Sequence, residues 1–141
     1  MDRYVVDASV IVASLLPDEP FREAALLLIE QFDARKLDLV SVDLLRFEVA
    51  NALWKAAERG RVKRSFSLEA IQQFEDFGIL YRDVPLSRTL KLAHEYGRTA
   101  YDAAYLALAE QEGAPLVTAD KRLYNALDGK FDLIAWIESV E

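Results

Sequence analysis

Short apolar segments alternate along the chain with longer segments of helical periodicity, and this alternation constrains the fold more than any other feature. The apolar segments lie at residues 4–7, 37–41, 79–82, 115–118 and 131–136. Their apolar runs are continuous, which is typical of strands buried on both faces of a sheet. The pattern predicts an α/β fold with a central parallel sheet of four or five strands and helices on both faces.

Seven helices are predicted between and after these strands. Their ranges are 8–16, 20–35, 42–58, 66–77, 86–96 and 101–112, with a short seventh helix after Asp120. Pro17 terminates the first helix, and Gly60 follows the third, for which Ser41 is the predicted N-cap. A length of 141 residues without linkers or repeats predicts a single domain over residues 1–141.

Composition and charge limit the classes of function. The net charge is −7 and the pI is about 4.8, so nucleic-acid binding would need a local basic patch or bound cations. The chain contains no cysteine, which excludes disulfides, thiolate nucleophiles and Cys-ligated zinc. We find no signal peptide and no apolar stretch of about 20 residues, so we expect a cytoplasmic protein that does not associate with membranes.

Two aspartates stand at the carboxyl ends of predicted strands. Asp7 ends the first strand, and Asp120 comes two residues after Thr118 at the end of the fourth. In open α/β sheets, ligands bind at this edge, where the strand order reverses. Aspartate is also a favoured N-cap, so the alternative for both residues is a role in a turn or a cap.

Two further acids lie on predicted helices. Glu48 has mostly apolar neighbours one turn away, and an unpartnered carboxylate facing a core would lose its charge or cost stability. The alternative is a side chain that reaches solvent or a nearby arginine. Asn51 lies beside Glu48 on the helix, where it bonds the carboxylate, lines the same site, or is a surface amide. Asp102 begins an apolar helix, where it either forms a capping box with Thr99 or points towards the same sheet edge; these two roles are compatible.

A convergence of these acids would have an electrostatic consequence. Two like charges about 5 Å apart repel by about 3 kcal/mol at an effective dielectric constant of about 20. Several such pairs would need cations, and hard divalent cations with oxygen ligands, Mg²⁺ or Mn²⁺, are their natural complement.

In sequence the chain resembles PIN domains, in particular the VapC-type ribonuclease toxins of prokaryotic toxin–antitoxin pairs. The matching segments, in the family's order, are YVVDASVIVASLL, FEVANALWKA, TAYDAAYLALAE and PLVTADKRL. The resemblance implies a three-layer α/β/α fold with strand order 3-2-1-4-5. It also implies a metal site formed by Asp7, Glu48, Asp102 and Asp120, of which Asp120 is the family's less regular member. Ser9 and Thr118 are expected to support that site through hydrogen bonds.

The function implied by the resemblance is that of a metal-dependent endoribonuclease, homodimeric and neutralised by a cognate antitoxin. The only histidine, His94, excludes a two-histidine mechanism at the 2′-hydroxyl, whereas a metal-activated water needs no 2′-hydroxyl. One alternative is a non-catalytic PIN-like module that binds a partner. Another is a phosphotransfer domain centred on Asp7, but Ser9 stands where an aspartyl-phosphatase would carry its second acid.

The densest basic cluster follows the helix that carries Glu48 and consists of Arg59, Arg61, Lys63 and Arg64. It is either a solvated turn or a contact for RNA phosphates or an antitoxin segment. Four large aromatic residues are predicted to lie in the core or a dimer interface rather than to stack on bases: Trp54, Phe66, Phe74 and Trp136.

Overall fold

The five apolar segments form the strands of one sheet, and helices fill the intervals between them. The computed structural model describes residues 1–140. The strands are β1 (Asp2–Val6), β2 (Leu37–Ser41), β3 (Leu80–Tyr81), β4 (Leu116–Thr118) and β5 (Ile134–Trp136). The helices are α1 (Ala8–Leu15), α2 (Arg22–Asp33), α3 (Leu44–Glu58), α4 (Arg64–Glu75), α5 (Leu86–Tyr96), α6 (Ala100–Glu112) and α7 (Lys121–Leu127), followed by a 3₁₀ turn at Ile137–Ser139.

The sheet is parallel throughout and has the strand order β3-β2-β1-β4-β5. This confirms the predicted fold class and strand order. Strand β1 pairs with β2 on one side and with β4 on the other. The strand order therefore reverses at β1, and the carboxyl ends of β1 and β4 flank the crevice where α/β proteins place their ligands.

The core explains why the strands read as continuous apolar runs. Val5 and Val6 are fully buried in the centre of the sheet, as are Leu116 and Val117 beside them. Helix α6 is apolar on nearly all sides and is buried from Ala103 to Ala109 except at Ala104, as expected of a helix covered by both the sheet and α5. None of the helices described in residues 1–140 is long and apolar enough to cross a membrane.

The prediction that Ser41 caps the third helix is wrong. Ser41 is the last residue of β2, is fully buried, and its hydroxyl donates a hydrogen bond to the carbonyl oxygen of Val6 at 2.7 Å. Helix α3 begins at Leu44 after Asp43, whose side chain makes no cap hydrogen bond. The cross-strand bond satisfies the buried hydroxyl of Ser41, so the strand extends through this residue. Helices α2 and α4 are likewise displaced by two residues from their predicted starts.

Candidate active site

Strand β1 delivers Asp7 to the carboxyl edge of the sheet, where its side chain is buried at 6% exposure. The Ser9 hydroxyl donates to its Oδ1 and the Thr118 hydroxyl to its Oδ2, each at 2.5 Å. The backbone N–H of Val10 also donates to Oδ1, so Asp7 is the N-cap of α1 as well. Burial raises the pKa of Asp7 to about 6, although the hydrogen bonds from Ser9 and Thr118 oppose that rise.

The hydroxyls of Ser9 and Thr118 connect the ends of β1 and β4. Ser9 Oγ accepts a hydrogen bond from the Ala119 N–H at 2.8 Å, and Thr118 Oγ1 accepts one from the Asp120 N–H at 3.0 Å. The two hydroxyl oxygens are 3.3 Å apart. Each hydroxyl therefore holds the Asp7 carboxylate while it is itself fixed by the backbone that follows β4.

Asp120 is exposed and caps α7. Its Oδ1 accepts hydrogen bonds from the N–H groups of Arg122 and Leu123. Its charge is nonetheless close enough to Asp7 to contribute to the raised pKa of that residue. The cap that the sequence suggests is present, and it leaves the carboxylate beside Asp7 at the sheet edge.

Glu48 on α3 is half-buried and has a partner that sequence reasoning missed. The hydroxyl of Tyr105 on α6 donates to Glu48 Oε1 at 2.5 Å, and Tyr105 itself is only 2% exposed. Burial raises the pKa of Tyr105, and the hydrogen bond to Glu48 and the charges of Asp7 and Asp102 raise it further. Tyr105 is thus the common neighbour of three of the four acids. The available signal was a tyrosine within an otherwise apolar helix, since a buried phenol needs a hydrogen-bond partner.

Asp102 lies in the first turn of α6, but the capping box forms only in part. Thr99 Oγ1 accepts a hydrogen bond from the Asp102 N–H at 3.1 Å, as an N-cap does. The Asp102 carboxylate pairs with Arg98 instead, whose Nη2 lies 3.1 Å from Oδ2. Arg98 is a second neighbour of the acids that sequence reasoning missed; it lies just before the N-cap Thr99, outside α6, so the pairing is not one between two residues of a helix.

An open groove of about 310 Å³ runs from this site between α1 and α3. Its lining consists of Ala8, Ser9, Val12, Glu48, Asn51, Ala52 and Lys55. Asn51 therefore borders the same groove as Glu48, although no hydrogen bond joins the two side chains within residues 1–140. Asn51 is exposed, so its position is compatible both with lining of the site and with a surface amide.

The donor atoms at this edge are all oxygens, which suits Mg²⁺ or Mn²⁺. Among the side chains of residues 1–140, no group of three or more His, Cys, Asp or Glu is arranged to hold a metal ion. The structure brings Asp7, Glu48 and Asp102 around Tyr105 and brings Asp120 towards Asp7, but it holds Glu48 against Tyr105 and Asp102 against Arg98. The acids share one edge of the sheet without meeting at one point.

Three of these acids keep one carboxylate oxygen without a protein donor in the described chain. Tyr105 bonds only Oε1 of Glu48, Arg98 bonds only Oδ2 of Asp102, and the α7 backbone bonds only Oδ1 of Asp120. An ionised carboxylate can accept at both oxygens. The second oxygen of each acid is therefore available to a cation, and the donor set fits one chemically.

The remaining predicted residues have mixed placements. In the basic cluster, Arg61 is engaged by Asp18 at 2.7 and 2.9 Å and by Glu19 at 3.0 Å. Phe74 is buried in the core, and Trp136 is partly buried against Phe21. Trp54 is 58% exposed, which excludes a core position; the other predicted place, a dimer interface, stays a prediction.

Comparison with known proteins shows the family. Residues 4–128 match the PIN domain. The chain is 36% identical over 125 residues to Ribonuclease VapC3 of Pyrobaculum aerophilum, a match that covers 86% of this chain and 92% of that protein. It is also 36% identical over 95 residues to Exonuclease VapC9 of the same organism, covering 67% of this chain and 71% of that one. The crystal structure of PAE2754 from Pyrobaculum aerophilum is similar with a TM-score of 0.75 at 30% identity, covering 98% and 92% of the two chains. With its sheet order, its sequence and its structural relatives in agreement, this chain belongs to the PIN-domain family.

Proposed function

We propose that this chain is a Mg²⁺- or Mn²⁺-dependent endoribonuclease that hydrolyses RNA phosphodiester bonds, and that it is the toxin of a VapBC-type toxin–antitoxin pair. The observation that carries the proposal is the buried Asp7 carboxylate at the point where the strand order reverses, with Glu48, Asp102 and Asp120 around it. Similarity to Ribonuclease VapC3 over most of both chains supports the assignment.

Asp7, Glu48, Asp102 and Asp120 would hold the cation. A cation bound there would activate a water for attack on phosphorus and neutralise charge on the phosphoryl group. The protein side chains provide the orientation: Ser9 and Thr118 fix Asp7, and Tyr105 fixes one oxygen of Glu48. Asp102 has to share its carboxylate between Arg98 and the cation, for which its Oδ1 is available.

The proposed partners follow from the same features. Carboxylate oxygens without protein donors invite a basic side chain as readily as a cation, which suits inhibition by an antitoxin segment. A homodimer is supported by the apolar surface between α3 and α4, which Leu53, Trp54, Leu68 and Ile71 line together and where Trp54 and Leu68 are exposed, since contiguous apolar surface marks association sites. RNA as the substrate implies a cytoplasmic site of action.

Cleavage assays with purified protein test the proposed reaction. Structured RNA should be cut in the presence of Mg²⁺ or Mn²⁺, cleavage should stop with EDTA, and the products should carry 5′-phosphates and 3′-hydroxyls. Cleavage that persists in EDTA, or products that end in 2′,3′-cyclic phosphates, would contradict the proposal. Asp102→Asn is the matched inactive control, because it removes one acid while it preserves side-chain shape.

Because one relative bears the name exonuclease, internal cleavage needs its own measurement. A circular RNA has no end, so an endonuclease linearises it whereas an exonuclease leaves it intact. The proposal requires linear products from the circle. Activity on linear RNA together with an intact circle would reassign the enzyme as an exonuclease acting at the same acids.

A further inference from the structure

The groove between α1 and α3 is continuous with the acidic site. Two of its lining residues, Ser9 and Glu48, are also part of that site: Ser9 bonds the Asp7 carboxylate, and Glu48 is held by Tyr105. The groove leads away from the acids along the face of α3 that carries Glu48, Asn51 and Lys55. A strand of substrate whose scissile phosphate lies at the acids would extend naturally into this groove.

Lys55 is the basic residue that lines this groove in the described part of the chain. It is seven positions after Glu48, so the two side chains share one helical face about 10.5 Å apart along the axis. The Lys55 ammonium is exposed and has no carboxylate within salt-bridge distance among residues 1–140. By contrast, two arginines in these regions are already engaged by acids, Arg98 by Asp102 and Arg61 by Asp18 and Glu19.

The positive charge of Lys55 matters because the rest of the protein repels a nucleic-acid backbone. The protein carries a net charge of −7, and its acidic site repels the backbone of any nucleic acid that approaches without cations. A free ammonium at the end of a groove that starts at the acids offers the counter-charge that a phosphate next to the cleavage site requires. Lysine suits this task, because it binds phosphate as a point charge without requiring one geometry.

We propose that Lys55 binds a backbone phosphate of the RNA strand, flanking the scissile phosphate, and that the α1–α3 groove with Asn51 is the track for this strand. This inference rests on the proposed ribonuclease function and adds to it the position at which the substrate backbone is held. It places the phosphate contact in the groove that starts at the acids rather than in the basic cluster after α3, of which Arg61 is already paired with two acids.

The test uses cleavage of one RNA, in Mg²⁺ or Mn²⁺, across a series of KCl concentrations. Four proteins are compared: the parent, Lys55→Gln, Lys55→Arg and Lys36→Gln. Lys36 is the matched control, because it is exposed and precedes β2 at the opposite edge of the sheet. Lys36→Gln changes the net charge by the same amount as Lys55→Gln without touching the groove.

Lys55→Gln should raise KM about fivefold at low salt, the equivalent of one exposed ion pair, and leave kcat nearly unchanged. The slope of log(kcat/KM) against log[KCl] should become shallower by about 0.7, the value for one phosphate contact with a single strand. Lys55→Arg should keep KM and the salt slope close to those of the parent, and Lys36→Gln should match the parent in both.

Three results separate failure of this inference from failure of the proposed function. If the parent cleaves RNA and Lys55→Gln keeps its KM and its salt slope, Lys55 does not bind the backbone, and the nuclease assignment stands. If Lys36→Gln lowers the slope as much as Lys55→Gln, the effect is one of net charge, and the groove assignment fails. A parent that cleaves no RNA with either metal overturns the proposed function and this inference with it.

Discussion

Replacing Asp7 with asparagine should stabilise the protein at neutral pH when no metal is bound. Burial raises the pKa of Asp7 from 3.8 to about 6, so the folded protein binds this proton more tightly than the unfolded chain does. The stability that the neutral carboxyl provides is therefore complete below pH 3.8 and is lost as the pH rises through about 6. A shift of this size corresponds to about 3 kcal/mol.

The asparagine variant does not titrate and so avoids this loss. Asparagine is an equally good N-cap for α1, but its amide cannot accept from both Ser9 and Thr118, and one hydroxyl must reorient to accept from the amide nitrogen. That change costs about 1 kcal/mol. We therefore expect the unfolding free energy of Asp7→Asn to exceed that of the parent by about 2 kcal/mol at pH values well above the pKa of Asp7. This difference should disappear at acidic pH.

Urea unfolding in EDTA at a series of pH values measures this difference. Asp2→Asn is the control for removal of one charge, because Asp2 is exposed at the opposite end of β1. A free-energy difference between parent and Asp7→Asn that stays constant with pH would refute the reasoning. With metal at a hundredfold excess over Kd, the parent should gain about 2.7 kcal/mol through linkage and the variant much less. Equal gains would remove Asp7 from the metal site.

Three further substitutions test the neighbours of the acids. Tyr105→Phe should cost about 1 kcal/mol of unfolding free energy by removing the hydrogen bond to Glu48; in a double-mutant cycle with Glu48→Gln the two costs should not add, and strict additivity would contradict the contact. Thr118→Val should destabilise the protein by about 1–3 kcal/mol at neutral pH, because it removes a donor to a buried carboxylate. A loss of unfolding free energy seen only at acidic pH, where Asp7 is protonated, would contradict this reasoning. Arg98→Gln should lower the Mn²⁺ concentration that gives half-maximal cleavage, since the guanidinium pairs with Asp102 where the cation is proposed to bind; a higher requirement would exclude this competition.

The sequence predicts the elements and the edge of the sheet that carries the acids, because these depend on local patterns. Asp7 and Asp120 follow buried strands directly, and the caps at Asp7, Thr99 and Asp120 are short-range features of three helices. No local sequence pattern predicts the strand order, so that prediction depended on the resemblance to the family. Ser41 shows where local chemistry misleads: serine is a good cap, but a hydrogen bond to Val6, 35 residues earlier, keeps it in the strand.

The contacts that organise the site join residues far apart in sequence, and no spacing rule predicts them. Tyr105 and Glu48 are separated by 57 positions, so a tyrosine on an apolar helix gave no indication of its partner. Arg61 is part of an obvious basic cluster in the sequence, but its acid Asp18 lies 43 positions away. The cluster therefore suggested a free basic surface that the folded protein has already neutralised in part.

The hydrogen bond between Asp7 and Thr118 has a consequence for the order in which the protein assembles. These residues are 111 positions apart, and a ribosome supplies β1 long before β4. A partly synthesised chain can pair β1 with β2 and hold Glu48 on α3, but Asp7 then has neither Thr118 nor the Ala119 N–H that fixes Ser9. The buried carboxylate becomes ordered only when the last third of the chain docks, so the acids come together only once synthesis is nearly complete.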